Sequence, residues 1–176
     1  SETCVGATYT TTTATDGSFS LQVDDGVSGK LRAEDGFNAV TSDEDAFVMT
    51  IEDPVTDQNF VISPLSTLLD IDSRFSFESL KEKLGVDPNF MIRFDDPYLS
   101  VSDAASNKAA LVNTQLLIMY ESCSVLQELS GLTGNATCIS TVNDGIYNRA
   151  ATDETSLGDT TLVRDIFLNI DLPNYT

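Results

Sequence analysis

Histidine and tryptophan are absent from this chain, and Lys and Arg together number only 9 against 28 Asp and Glu. Without histidine there is no Ser-His-Asp or Cys-His catalysis, and no His-ligated zinc or haem. The formal charge of −19 lies outside the magnitude of roughly 2–8 usual for a small domain. Nucleic acid and anionic membrane surfaces repel such a chain, because both need clustered Lys and Arg to release counterions. Apolar runs are short. None approaches the ~20 residues of a membrane span, so no membrane insertion is expected, and no signal sequence is expected in the chain as it stands. Neither a Gly-x-Ser-x-Gly elbow nor a phosphate loop occurs. Paired carboxylates without a tryptophan-lined cleft make a poor glycosidase. An enzyme is not expected.

What is present suffices to fold. Leu, Ile, Val and Phe make up 49 of the 176 residues, enough for one core or two small ones. Three cysteines stand at Cys4, Cys123 and Cys138, of which only the last two are close in sequence. A Cys123–Cys138 disulfide closes a loop of about 15 residues, worth ~3 kcal/mol in the chain-entropy model. Inside that loop lies Asn135-Ala136-Thr137, and the pattern recurs as Asn174-Tyr175-Thr176. Both Asn135 and Asn174 fit the N-glycosylation acceptor pattern, or else sit in ordinary polar turns. Together these features point to an oxidising, extracellular or cell-surface setting. Cys4 is left as a spare thiol or as half of an intermolecular bridge.

The composition changes near residue 63. Before it, short alternating runs are punctuated by turn signals. Phe19, Leu21 and Val23 alternate with polar residues after Asp16-Gly17, as a half-buried strand does after a hairpin turn. Further strands are expected over 8–15, where nearly every residue is β-branched or small, and over 29–33, 47–51 and 60–62. Five short strands so spaced predict a small antiparallel β-sandwich over 1–62, transthyretin- or Ig-like. From Ser63 the period becomes helical. Ser63-Pro64-Leu65 is a start signal, and Leu65, Leu68 and Leu69 follow on one face. A second helix opens at Ser76 and stops at Gly85. The longest runs over about 104–129 with a seam of Ala105, Ala109, Val112, Leu116, Met119, Cys123 and Leu126. Leu111, Leu117, Ile118 and Tyr120 widen its apolar surface, which predicts a central position in a bundle. Shorter helices are expected over about 139–151 and 159–170. The reading is therefore α+β: a sandwich over 1–62 followed by a helical bundle over 63–176.

The acids gather in loops and at element ends. Hard cations such as Ca²⁺ take six to eight oxygens, and loops supply both carboxylates and free carbonyls. Asp43, Asp45, Asp95 and Asp96 are the candidate ligands, since doubled acids in a tight loop repel one another unless neutralised. The alternative is that these acids solvate loops and cap helices, as Asp103 is expected to do. No segment matches an EF-hand loop.

Several motifs in order resemble a known module. They are Thr15-Asp16-Gly17-Ser18-Phe19-Ser20-Leu21, Ile62-Ser63-Pro64-Leu65-Ser66-Thr67-Leu68-Leu69, Leu84-Gly85-Val86, Asp96-Pro97 and an Ala/Asn/Gln-rich helix over 104–120. Over roughly 5–130 the chain is similar to a module of large bacterial surface proteins and adhesins. The resemblance implies a carboxypeptidase-regulatory-like sandwich followed by a small bundle, a structural or adhesive role, and no catalytic residues. Fewer residues precede the Thr15 motif than in that module, so the sandwich is expected to lack an edge strand, and such an edge invites pairing with another chain. The leading expectation is an extracellular, non-catalytic subunit that assembles with copies of itself into a filament or appendage. Segments 5–13 or 168–175 would supply a strand, and Ca²⁺ would offset the charge. The alternative is an adhesin module binding glycans through Tyr9, Phe37, Tyr98 and Tyr147.

Overall fold

The computed structural model describes residues 8–34, 36–37, 44–45, 47–52, 54, 58–98, 104–130 and 136–148. Two hairpin-like ladders come first. Strand β1 (Lys30–Ala33) pairs antiparallel with β4 (Met49–Glu52), in the register Lys30 to Glu52 and Leu31 to Ile51. Between them in sequence, β2 (Gly36–Phe37) pairs with β3 (Glu44–Asp45) over two residues only. Among the described residues four helices follow: α1 (Pro64–Ile71), α2 (Phe77–Leu84), α3 (Ala104–Ser130) and α4 (Ala136–Tyr147).

The expected β-sandwich is not there. Among the described residues the strands form only two two-stranded ladders, and what covers them is helical. The reason lies at the free edge of β4. Thr67 of α1 accepts the Thr50 N–H through its hydroxyl at 2.9 Å. That hydroxyl has one proton to give, and the Ser63 carbonyl at 2.8 Å is nearer than the Thr50 carbonyl at 3.4 Å. A helix side chain thus occupies the place of a third strand. Ile51 is 1% exposed, and Phe47 stacks on Tyr120 of α3 with ring centroids 4.5 Å apart. Phe47 therefore shares one apolar core with Leu65, Leu68, Leu80, Leu116 and Ile146. The α+β mixture stands; the second sheet does not.

Local chemistry explains the start of α1 and both ends of α2. Ser63 accepts the Ser66 N–H while Ser66 Oγ accepts the Ser63 N–H, a reciprocal capping box, and Pro64 occupies a position where no amide is needed. A further orphan amide of that first turn, Leu65 N–H, is accepted at 3.1 Å by Oδ1 of Asn113, which is wholly buried in α3. Ser76 and Ser79 repeat the box for α2. Gly85 closes α2 at φ 64°, a left-handed conformation that glycine adopts without Cβ strain.

Ala109, Val112, Leu116, Met119 and Cys123 of the α3 seam are buried as their spacing predicts. Tyr120 is buried too and donates to Asn143 of α4 at 2.9 Å. Leu111 and Ile118 are 46% and 56% exposed, so α3 is one-sided rather than central. A disulfide joins Cys123 on α3 to Cys138 on α4, with Cα atoms 5.5 Å apart. The helix expected over 159–170 lies outside the described residues.

Replacing Thr67 by Val keeps the shape but leaves the Thr50 N–H without its acceptor and the Ser63 carbonyl without that donor. The expected loss is about 1–3 kcal/mol in urea unfolding, with faster hydrogen exchange at the Thr50 amide. Unchanged exchange at Thr50 would show that α1 does not close this edge.

Candidate functional site

Two places carry more polar chemistry than the fold alone needs: the acidic loop over 87–98 and the segment over 8–24. In the loop, Asp95 Oδ2 accepts the Met91 N–H at 2.8 Å and Asp96 Oδ1 accepts the Tyr98 N–H at 2.8 Å. Each carboxylate thus commits an oxygen to closing a turn. Asp45 sits opposite Gly36 in the β2–β3 ladder, and Asp43 lies outside the described residues. Among the described residues no three acidic or cysteine side chains stand together to hold a metal ion. Asn135, Asn174 and Cys4 lie outside the described residues as well.

The loop is fastened to the body by a pairing that the sequence does not announce. Arg93 reaches Asp70 of α1 at 3.0 Å, and the Asp70 side chain has no solvent exposure at all. The Arg93 carbonyl also accepts the Val61 N–H, and its guanidinium lies over the Phe77 ring. Asp70 Oδ2 and Arg93 Nε have no hydrogen-bond partner among the described residues. Burial pushes the Asp70 carboxyl above its ordinary 3.8, against the pull of Arg93 and of the Glu52 backbone.

Asp72, two residues on, behaves the other way. The Arg74 side chain holds it below 3.8 by hydrogen bonds at 2.9 and 2.6 Å. Arg74 continues to Asp144 of α4 at 2.7 Å and lies over the Tyr147 ring, so it ties the α1–α2 turn to the last described helix.

The segment over 8–24 is the second place. Gly17, at φ 81°, turns the chain: the Gly17 N–H bonds to the Ala14 carbonyl at 2.9 Å and the Ala14 N–H to the Ser18 carbonyl at 2.8 Å. Asp16 steadies the turn by accepting from Ser18 N–H and Oγ–H. At the far end the Tyr9 hydroxyl donates to Asp24 Oδ2 at 2.6 Å. Between these two ties the arms 8–13 and 19–23 form no ladder, and no backbone hydrogen bond joins them among the described residues. They flank an open groove of about 500 Å³ lined by Thr8, Tyr9, Thr10, Thr11, Ser20, Leu21 and Gln22. Phe19, Leu21 and Val23 are half-buried in strict alternation with exposed neighbours, and Phe19 meets Phe60 edge-on at 5.8 Å. The alternation marks a strand, as the sequence predicts; the pairing that defines one is missing.

Among the described residues no contact gathers the aromatics expected to bind sugars onto one face. Tyr9 is half-buried and tethered to Asp24, Tyr98 is 52% exposed beside Thr114, and Tyr147 is held under Arg74 and Lys83. Phe37 lies in β2.

Comparison with protein-family models, with curated proteins and with solved structures finds no match for this chain. No helix among the described residues is long and apolar enough to cross a membrane.

Asp70, with its value raised in the fold, contributes stability in acid that is lost as the pH rises through that value. Asp72, depressed, contributes stability at neutral pH that is lost as the pH falls through its folded value. Arg93→Met strips the counter-charge from a buried carboxylate and should cost about 2 kcal/mol at neutral pH. That penalty should fade on acidification while the pH is still above 3.8. Arg74→Met should destabilise less than Arg93→Met, because Arg74 is 40% exposed, and its penalty should fade only as the pH falls below 3.8. Urea unfolding across this range checks both; penalties independent of pH contradict the assignment.

Proposed function

We propose that the chain is an extracellular, non-catalytic structural subunit that assembles with copies of itself, by adding an extended segment of one copy to the open hairpin arms of another. One observation carries this reading: arms 8–13 and 19–23 have the alternation and the turn of a hairpin, yet their backbone groups are not paired with each other. Among the described residues those groups have no backbone partner across the hairpin. A strand from a neighbour would satisfy them in an assembly and cover Phe19, Leu21 and Val23 as well, main-chain bonds giving affinity and alternate side chains giving register.

The setting supports the reading. A disulfide linking α3 to α4 suits an oxidising compartment. The shortage of lysine and arginine disfavours nucleic acid and anionic membranes as partners. Subunits of charge −19 repel one another when packed, and divalent cations such as Ca²⁺ offset that repulsion as counterions, whether or not they meet a fixed ligand set.

Gel filtration and negative-stain microscopy of the native chain, with Ca²⁺ and with EDTA, test the proposal. Polymers are expected with Ca²⁺ and smaller species with EDTA, and amides of 19–23 should exchange slowly only in the polymer. Leu21→Pro removes an amide that has no backbone partner among the described residues, so the body should keep its stability while assembly is lost. A monodisperse monomer under both conditions overturns the reading.

A further inference from the structure

Six threonines stand within eight residues on the first arm and the turn that follows it: Thr8, Thr10, Thr11, Thr12, Thr13 and Thr15. All six are exposed. Threonine is a strand former because its branched side chain packs across a ladder, but this arm has no ladder for it to pack in. Nor do these hydroxyls cap anything. In the body, the hydroxyls of Ser66, Thr67, Ser76, Ser79, Thr114 and Ser122 each take part in a hydrogen bond to the backbone. On the arm, no threonine hydroxyl has a hydrogen-bond partner among the described residues.

The arm is nonetheless held in place, by the Ala14–Ser18 bonds at one end and the Tyr9–Asp24 bond at the other. An extended, outward-facing segment with an unpaired backbone is the form in which a modifying enzyme can grip a chain, because no secondary structure need be opened first. Among the described residues these hydroxyls have no partner, and all six are exposed.

We infer that this threonine array is an acceptor for O-linked sugars, a step beyond the assembly reading that rests only on its extracellular setting. The donor is a sugar nucleotide. A threonine Oγ1 bonds to the anomeric carbon as the bond from that carbon to the nucleotide phosphate breaks. The nucleoside diphosphate leaves with the bonding electrons, and the hydroxyl proton passes to a base of the transferase. Side chains stand out of the plane in which a strand's backbone groups pair. Sugars on the first arm therefore leave the edge of 19–23 open while making the first arm bulky and soluble.

The test is simple to read because Lys30 is the first basic residue, so trypsin leaves the whole array on the peptide that ends there. In the chain purified from its natural source, that peptide should carry hexose or N-acetylhexosamine mass increments. Electron-transfer fragmentation should place them on one or more of the six threonines, and alkaline β-elimination should remove them. In the natural host, Asn135→Gln should retain the increments, whereas Val at all six positions should abolish them. A bare peptide, or sugars confined to Ser18, Ser20 or Ser28, overturns the inference. Particle size is measured separately: a sugar-bearing monomer supports the array and sinks assembly, and a bare polymer does the reverse.

Discussion

The hydroxyl of Thr67 on the edge of β4 is the interaction on which the architecture turns. Hydrophobic burial alone would accept a second sheet or a helix over Ile51 and Met49, since both cover apolar side chains equally well. The edge amide of Thr50 is more demanding, because it needs an acceptor at one place and angle. Thr67 supplies it at 2.9 Å from a helix whose first turn is already satisfied by Ser63, Ser66 and Asn113. Once that contact is made, α1 lies where a sandwich would have placed its next strand, and Phe47 is carried onto Tyr120 instead of onto another sheet.

Charge is handled by location rather than by balance. The Lys30–Glu52 pair is roughly half exposed on both sides, where salt bridges contribute little. The pairs that bear on the fold are Arg93 with Asp70 and Arg74 with Asp144, each joining segments that apolar contact alone would leave adjustable. With 9 cations for 28 acids, placing two arginines beside the two acids that follow one another on α1 and its end is an economical use of a scarce residue. Among the described residues Asp24, Asp25, Asp87, Asp95 and Asp96 lie outside helices and strands.

Much of the helical part was legible in the residues. Ser63-Pro64 and Ser76 start helices by satisfying orphan amides within four residues of themselves, so no distant partner has to be known. The seam from Ala109 to Cys123 was readable because its spacing is set by helix geometry. The sandwich was not, since alternation over 19–23 and 47–51 says which side chains are half-buried and nothing about what pairs the backbone. Of those segments only β4 found a ladder partner, and its other edge went to a helix. Asn113 offered an unused signal, a buried amide beside Val112 inside an apolar seam, which implies a partner across an interface. The Asp70–Arg93 pair spans 23 residues and left no local mark. The candidate ligands Asp95 and Asp96 were conspicuous for being adjacent, but adjacency in a turn is also what a chain needs to bind its own amides.

A helix advances about 1.5 Å per residue and a strand about 3.3 Å, so the two cannot stay in step for more than a contact or two. Thr67 therefore acts as a chain stopper, terminating the sheet at β4 without being able to extend it. Any strand added to this ladder would therefore have to join on the β1 side, so the ladder has one edge that can lengthen it and one that cannot.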